Sequence, residues 1–433
     1  MNMDTQGTVG VTIDDIRSAA VAQAEHLDRT DVRYSQIFSE MLGAEIFFKL
    51  EIFQRTGSFK SRGSLTKLLR LPVDVRARGV MTASAGNHGQ GVALAARLLG
   101  VPATIVMPVG APLYKVTAVQ SYGAEVILHG LTYDDSHAHA AALAIEREAA
   151  YIHAFDDEDV VAGQGVVGLE LIEQLPDLDV VLVPVGGGGL IAGMATAIKA
   201  LAPRVRVIGV QASGAAACSD SFRKGAVVET TGVQTIADGI AVKRPGAVTF
   251  PIIRERVDDM VTVDDDAISQ AIVLLMERGK LVVEGAGAVG LAALLAGRVA
   301  HGGRRVGVVL SGGNIDLNLL GKVIQYGMMT AGRYLTLRLW LEDKPGQLFG
   351  ITSTLAEHNV NIIHVGIHRI GPYMALHHVE LELIVETRDA AHGREVLALL
   401  RNAGYAAEEA SEIHERARNT LRDNGRGGLS SLA

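Results

Sequence analysis

The chain has 433 residues, 48% of them hydrophobic and only 4% aromatic, enough apolar material for two or three domains with cores of Ala, Val, Leu and Ile. A net charge of −8 with no block of one sign excludes the basic stripe of a nucleic-acid surface. The single cysteine, Cys218, excludes an internal disulfide and a cysteine-built zinc site, and 49 glycines without a period exclude a collagen-like repeat.

The N-terminus, MNMDTQGTVGVTIDDIRSAA, lacks the basic start and apolar core of a signal peptide, so a cytoplasmic protein is expected. At GSFKSRG (57–63), Lys60 follows the ring of Phe59 among small and hydroxylated residues. Taken alone, Lys60 and Arg62 read as solvated cations. MTASAGNHGQG (81–91) ends a strand and enters a helix. There Ser84, Ala85, Gly86, Asn87 and His88 would offer N–H groups to a carboxylate. Standing alone, the stretch reads more simply as capping by Ser84 or Asn87.

From about residue 75 to 325, β-branched runs alternate with Ala/Leu-rich helical patterns. ATIVM (103–107), AEVILH (124–129), DVVLVPV (179–185), VRVIGV (205–210) and RVGVVL (305–310) lack polar alternation, as buried parallel strands do. GVALAARLLG (91–100) and DDSHAHAAALAIEREAA (134–150) read as helices, and the order predicts an α/β fold. Glycines split the longest apolar runs, so no membrane span is expected. The histidines of HAHAA and HHVE lack ligand spacing and read as helix-face and strand-face residues.

Gly186 to Gly189 lie between a strand and a helix in VVLVPVGGGGLIAGM. Such a loop lets the backbone approach a phosphate at a helix start, and four glycines exceed what a bare turn requires. Gly187, Gly189 and Ala192 fit dinucleotide spacing, but the ribose-binding acid expected roughly 20 residues on is missing, and Gln211 stands there. A Gly-Lys-Ser/Thr loop is also absent. A smaller phosphate monoester remains, and pyridoxal phosphate fits because its aldehyde captures a lysine. Ser311, in VVLSGGNID (308–316), follows a buried strand at the edge where open α/β sheets place ligands. TIADGI (235–240) is a weaker small-residue loop.

MMTAGRYL, near residue 330, reads as a hinge. Beyond it the order is strand, helix, strand, strand, helix, strand, with period-two alternation in TLRLWLE and VELELIVE, a small α+β unit of ferredoxin-like type. DKPGQL (343–348) joins its first strand to a helix, either as a Pro-Gly turn or as a carboxylate site.

Taken in order, GSFKSRG, TASAGNHGQG, PVGGGGL, TIADG, EGAGAVG and LSGGN resemble threonine dehydratase (threonine ammonia-lyase), over roughly residues 10 to 325. That family belongs to the fold-type II pyridoxal-phosphate enzymes, whose fold is tryptophan synthase β-like with two α/β subdomains. The C-terminal unit resembles an ACT domain, as in the single-ACT form. The resemblance implies a catalytic domain over 1–328 with a small subdomain at about 55–160. It implies an ACT domain over 329–415, and 416–433 reads as a mobile tail.

The resemblance also implies roles. Lys60 would hold the cofactor aldehyde and later take the Cα proton. Phe59 would lie near the ring, and Asn87 would meet the ring oxygen. Gly186, Gly187, Gly188, Gly189 and Leu190 would hold the phosphate. Ser311 would meet the ring nitrogen. Ser84, Ala85, Gly86 and His88 would shape the substrate-carboxylate loop. The implied reaction is elimination from L-threonine to 2-oxobutanoate and ammonia. Isoleucine, opposed by valine, is the expected effector at DKPGQL, and a homodimer or homotetramer is the family expectation. Ala85 stands where the related serine racemase has a second serine, so racemisation should be poor. Gln211 and Ala217 stand where that enzyme has metal-binding carboxylates, so no dedicated metal site is expected. Preference for serine or threo-3-hydroxyaspartate is the competing enzymatic reading. An amino-acid-binding regulator with a dead catalytic domain and a nucleotide-dependent dehydrogenase are the others.

Overall fold

The computed structural model describes residues 10–301, 304–369 and 377–410. The chain divides into two compact units, Met1–Leu317 and Asn318–Ala433.

The first unit contains two sheets. The larger has six strands, in the order Val32–Tyr34, Glu45–Lys49, Arg305–Val309, Val180–Pro184, Arg206–Ala212 and Asp259–Val263. All neighbours are parallel except the outermost pair, Val32–Tyr34 with Glu45–Lys49. The smaller has four parallel strands, in the order Glu125–Leu128, Ala103–Met107, Val80–Ala83 and Ala150–Tyr151. DVVLVPV and ATIVM form strands buried along their whole length, as a continuous apolar run requires. AEVILH differs from its reading as a buried strand. It lies at the edge of the smaller sheet, where Glu125 and Leu128 are exposed, because an edge strand has a neighbour on one side only.

The helix Lys60–Arg70 lies across the helix Glu158–Gln174 at a pair of glycines. A Cβ on Gly63 would come 2.8 Å from the Val160 carbonyl, and one on Gly163 would come 2.7 Å from Gly63 Cα. Only glycine lets these backbones approach so closely, and this contact sets where Lys60 starts its helix. Arg62, read above as solvated, is buried on this helix. Its Nε donates to Glu51 Oε2 at 2.8 Å and its Nη1 to Glu170 Oε1 at 2.8 Å. Lys49 Nζ donates to Glu170 Oε2 at 2.6 Å. A buried cation persists only when paired, and here two carboxylates face two cations.

The second unit starts on the helix that spans Leu317–Thr330. Met328 to Thr330, within the stretch read as a hinge, are therefore helical, and the chain turns at Ala331 and Gly332, where φ is 66° at the glycine. The antiparallel sheet runs Ile362–His368, His378–Glu386, Tyr334–Glu342, Ala406–Glu409. Leu335, Leu337, Leu339 and Leu341 alternate onto the core face with Leu381 and Leu383, against the helices Gln347–Glu357 and Ala390–Asn402. This is the α+β unit that the alternation predicted. No helix among the described residues is long and apolar enough to cross a membrane. The tail expected over 416–433 lies outside the described residues.

Candidate active site

Four loops leave the carboxyl ends of parallel strands: 84–87 after Val80–Ala83, 153–156 after Ala150–Tyr151, 186–189 after Val180–Pro184, and 311–314 after Arg305–Val309. The turn that carries Lys60 is stitched to the last of them. Phe59 N–H donates to the Ser311 carbonyl at 3.1 Å, and Ser58 pairs with Gly312 in an isolated antiparallel bridge. Lys60 Nζ donates to the Ala154 carbonyl at 2.9 Å and lies 5.2 Å from the centre of the Phe59 ring. Burial pulls its ammonium down to about 8, and the Glu284 carboxylate opposes the shift. Lys60 is therefore not a solvated lysine.

The residue after Ala154 meets the glycine loop. A Cβ on Gly187 would come 2.3 Å from the Phe155 ring, and one on Gly189 would come 3.0 Å from Phe155 Cβ. Gly188 takes φ 101° and caps the helix Gly189–Leu201. The Gly187 carbonyl is held from behind by Gly246 N–H at 3.1 Å and Thr249 Oγ1 at 2.6 Å. Among the described residues, the N–H groups from Gly186 to Leu190 find no protein acceptor. A row of free donors at a helix start, cleared of side chains, fits a phosphate monoester.

The second loop repeats this arrangement. Gly86 caps the helix Asn87–Leu99 without a side-chain capping bond, and its N–H donates to Ser84 Oγ at 3.1 Å. The N–H groups of Ala85, Asn87 and His88 find no acceptor among the described residues, an arrangement that fits an anion such as a carboxylate. The imidazole of His88 is engaged elsewhere: Nε2 meets the Ile152 carbonyl at 3.0 Å. Burial, with Lys60 adding to it, pushes its pKa down to about 3, so the ring is neutral. His88 thus offers this loop its backbone.

Asn87 joins residues that the sequence reading left without roles. Its Nδ2 donates to Glu284 Oε1 at 2.7 Å, and its Oδ1 accepts from Asn314 Nδ2 at 2.8 Å. Glu284 is buried, and burial raises its pKa to about 7, with Asp238 adding to the shift. Its signal in the sequence was its isolation: it is the one ionisable residue between Lys280 and Arg298. Lys115 donates to Asp238 at 3.0 Å beside it. Phe155 had no comparable signal, because only the fold brings it against Gly187.

Gln211 is buried, its Nε2 donating to the Val185 carbonyl at 3.1 Å and its Oε1 accepting from Ser219 N–H at 2.7 Å. Among the described residues, no group of three or more His, Cys, Asp or Glu side chains is placed to hold a metal ion.

The chain resembles known proteins over both of its units. The family model for pyridoxal-phosphate dependent enzymes matches residues 24–312, and the ACT domain model matches 335–404. The L-threonine ammonia-lyase of Geobacter sulfurreducens is 48% identical over 380 residues, 88% of this chain and 94% of that one. The catabolic L-threonine dehydratase TdcB of Escherichia coli K12 is 45% identical over 315 residues, 72% of this chain and 96% of that one. Among solved structures, maize serine racemase superposes with a TM-score of 0.70 at 37% identity, over 74% of this chain and 99% of that one. The chain belongs to the threonine ammonia-lyase family of pyridoxal-phosphate dependent enzymes, and it carries an ACT domain after its catalytic unit.

Proposed function

We propose that this chain eliminates water from L-threonine and releases 2-oxobutanoate and ammonia. The observation that carries this reading is one half-buried amine, Lys60, hydrogen-bonded to the same 153–156 segment whose Phe155 packs against the free N–H row of Gly186 to Leu190. Pyridoxal phosphate, when bound, supplies an aldehyde that captures the substrate amine and a ring that draws electrons from Cα. Lys60 would hold that aldehyde, the N–H groups of Gly186, Gly187, Gly188, Gly189 and Leu190 the phosphate, and Asn87 the ring oxygen. Phe59 would line the ring pocket, and Ser311 would face the ring nitrogen.

The chain's own residues then divide the work. The loop of Ser84, Ala85, Gly86 and His88 orients the substrate carboxylate through its free N–H groups. Lys60, its ammonium already destabilised by burial, acts in the neutral form and accepts the Cα proton. Ala85 carries no acid on the other face of Cα, which favours elimination over racemisation. A hydroxyl at Ser311 cannot keep the ring nitrogen protonated as a carboxylate would, which favours prompt loss of the β-hydroxyl over transamination. The ACT unit carries the regulatory site, with a branched amino acid such as isoleucine or valine at Asp343 to Leu348. A homodimer or homotetramer is the assembly proposed.

The test uses the purified protein. A visible absorbance band bleached by borohydride is expected, with 2-oxobutanoate formed faster from threonine than pyruvate from serine or oxaloacetate from threo-3-hydroxyaspartate. Lys60→Ala should abolish both band and turnover. A Lys60→Ala protein that kept the band and turned over normally would sink the assignment.

A further inference from the structure

The EGAGAVG motif carries a buried acid that the scheme above does not use. Glu284 occupies the N-cap position of the helix Gly285–Leu295, yet its side chain does not cap that helix. It leaves the helix's own N–H groups, which would stabilise a carboxylate, and reaches Asn87 Nδ2 at 2.7 Å. The molecule makes room for this contact. A Cβ on Gly312 would come 2.3 Å from Glu284 Oε1 and 3.2 Å from Asn87 Nδ2. The Glu284 N–H is fixed to the Gly312 carbonyl at 3.0 Å.

An asparagine amide has a donor end and an acceptor end, and its fixed partners decide which atom remains free. Asn87 Oδ1 is occupied by Asn314, whose Nδ2 also donates to the Thr56 carbonyl at 2.7 Å. Glu284 takes one of the two Nδ2 hydrogens. The other Nδ2 hydrogen is then the free donor of this side chain, and a donor is what the ring oxygen of the cofactor requires. We propose that Glu284 is a positioning residue of the active site, acting through Asn87 by holding the donor edge of its amide in place. The inference rests on pyridoxal phosphate binding at this site. A carboxyl pushed up to about 7 can perform this task, since one oxygen accepts in either protonation state. The charged groups around it are Asp238, Lys115 and Lys60.

The experiment titrates apoprotein with pyridoxal phosphate, follows the visible absorbance, and reads the dissociation constant, with thermal unfolding as the check on folding. Glu284→Met keeps length and packing but removes the acceptor, and affinity should fall about tenfold. Glu284→Gln keeps an acceptor and should stay within about threefold of wild type, an outcome that burial alone does not predict. In an Asn87→Ala background, Glu284→Met should have no further effect, because the two residues act as one unit. Glu284→Asp, whose shorter side chain draws the acceptor back from Asn87, gives the same reading if Glu284→Met does not fold. Wild-type affinity in Glu284→Met, or an equal loss in the Asn87→Ala background, overturns the inference and leaves the functional reading intact. Failure of the wild-type protein to bind pyridoxal phosphate overturns both.

Discussion

Gly187 shows how much one absent methyl group decides. A Cβ there would lie 2.3 Å from the Phe155 ring, so alanine must either displace the ring or lift the loop from its place. Overpacking of this kind costs about 1–3 kcal/mol. Gly187→Ala should therefore weaken pyridoxal phosphate binding roughly tenfold, measured by titration of apoprotein. Gly110→Ala is the control, since nothing lies within 4 Å of its Cβ, and it should bind as wild type does. The glycine row was legible because four glycines after an apolar strand have few other uses. The ring opposite was not, because Phe155 is distant in sequence and the partner of a glycine leaves no local pattern.

The helix Lys60–Arg70 is held by more than its apolar face. Arg62 and Lys49 share Glu170, and Arg62 also holds Glu51, all four side chains being buried. Burial depresses the Lys49 ammonium, whereas its neighbouring carboxylates raise it. Both cations rely on Glu170, so removing it leaves charge buried and underpaired. Glu170→Ala should destabilise the catalytic unit by about 3–5 kcal/mol, read from urea unfolding. Glu173→Ala, which breaks an exposed pair with Arg29 at 2.8 Å, should change stability by less than about 1 kcal/mol. A loss for Glu170→Ala no larger than for Glu173→Ala would show that the network adds nothing beyond its surface counterpart. The local sequence around Arg62 offered only a solvated pair, because its carboxylate partners come from a 3₁₀ turn and a distant helix.

At the scale of the whole chain, the two family models divide it into a pyridoxal-phosphate part, residues 24–312, and an ACT part, residues 335–404. The TdcB enzyme of Escherichia coli matches over 315 residues, 96% of its own length but 72% of this chain. A chain ending at Thr330 should then keep its threonine turnover within about threefold and lose the isoleucine response proposed above. Allosteric coupling requires a ligand that distinguishes two states of the molecule, and the truncated chain would lack the ligand's site. Steady-state rates with and without isoleucine check this. A truncated enzyme that still responded would place the effector site in the catalytic unit.

The sequence by itself determined the class of protein, since strand and helix periodicity, the glycine row and the order of six motifs are all local or linear features. It marked Lys60, and it marked the glycine loop by the spacing of residues along one strand–loop–helix unit. The tertiary structure decided what surrounds them. It put Phe155 on the glycine row, buried Arg62, turned the imidazole of His88 away to Ile152, and joined Asn87 to Glu284 and Asn314. All of these contacts but the Arg62–Glu51 pair span dozens to hundreds of residues. Periodicity reports which face of an element is buried, and it carries no information about which distant side chain will meet that face.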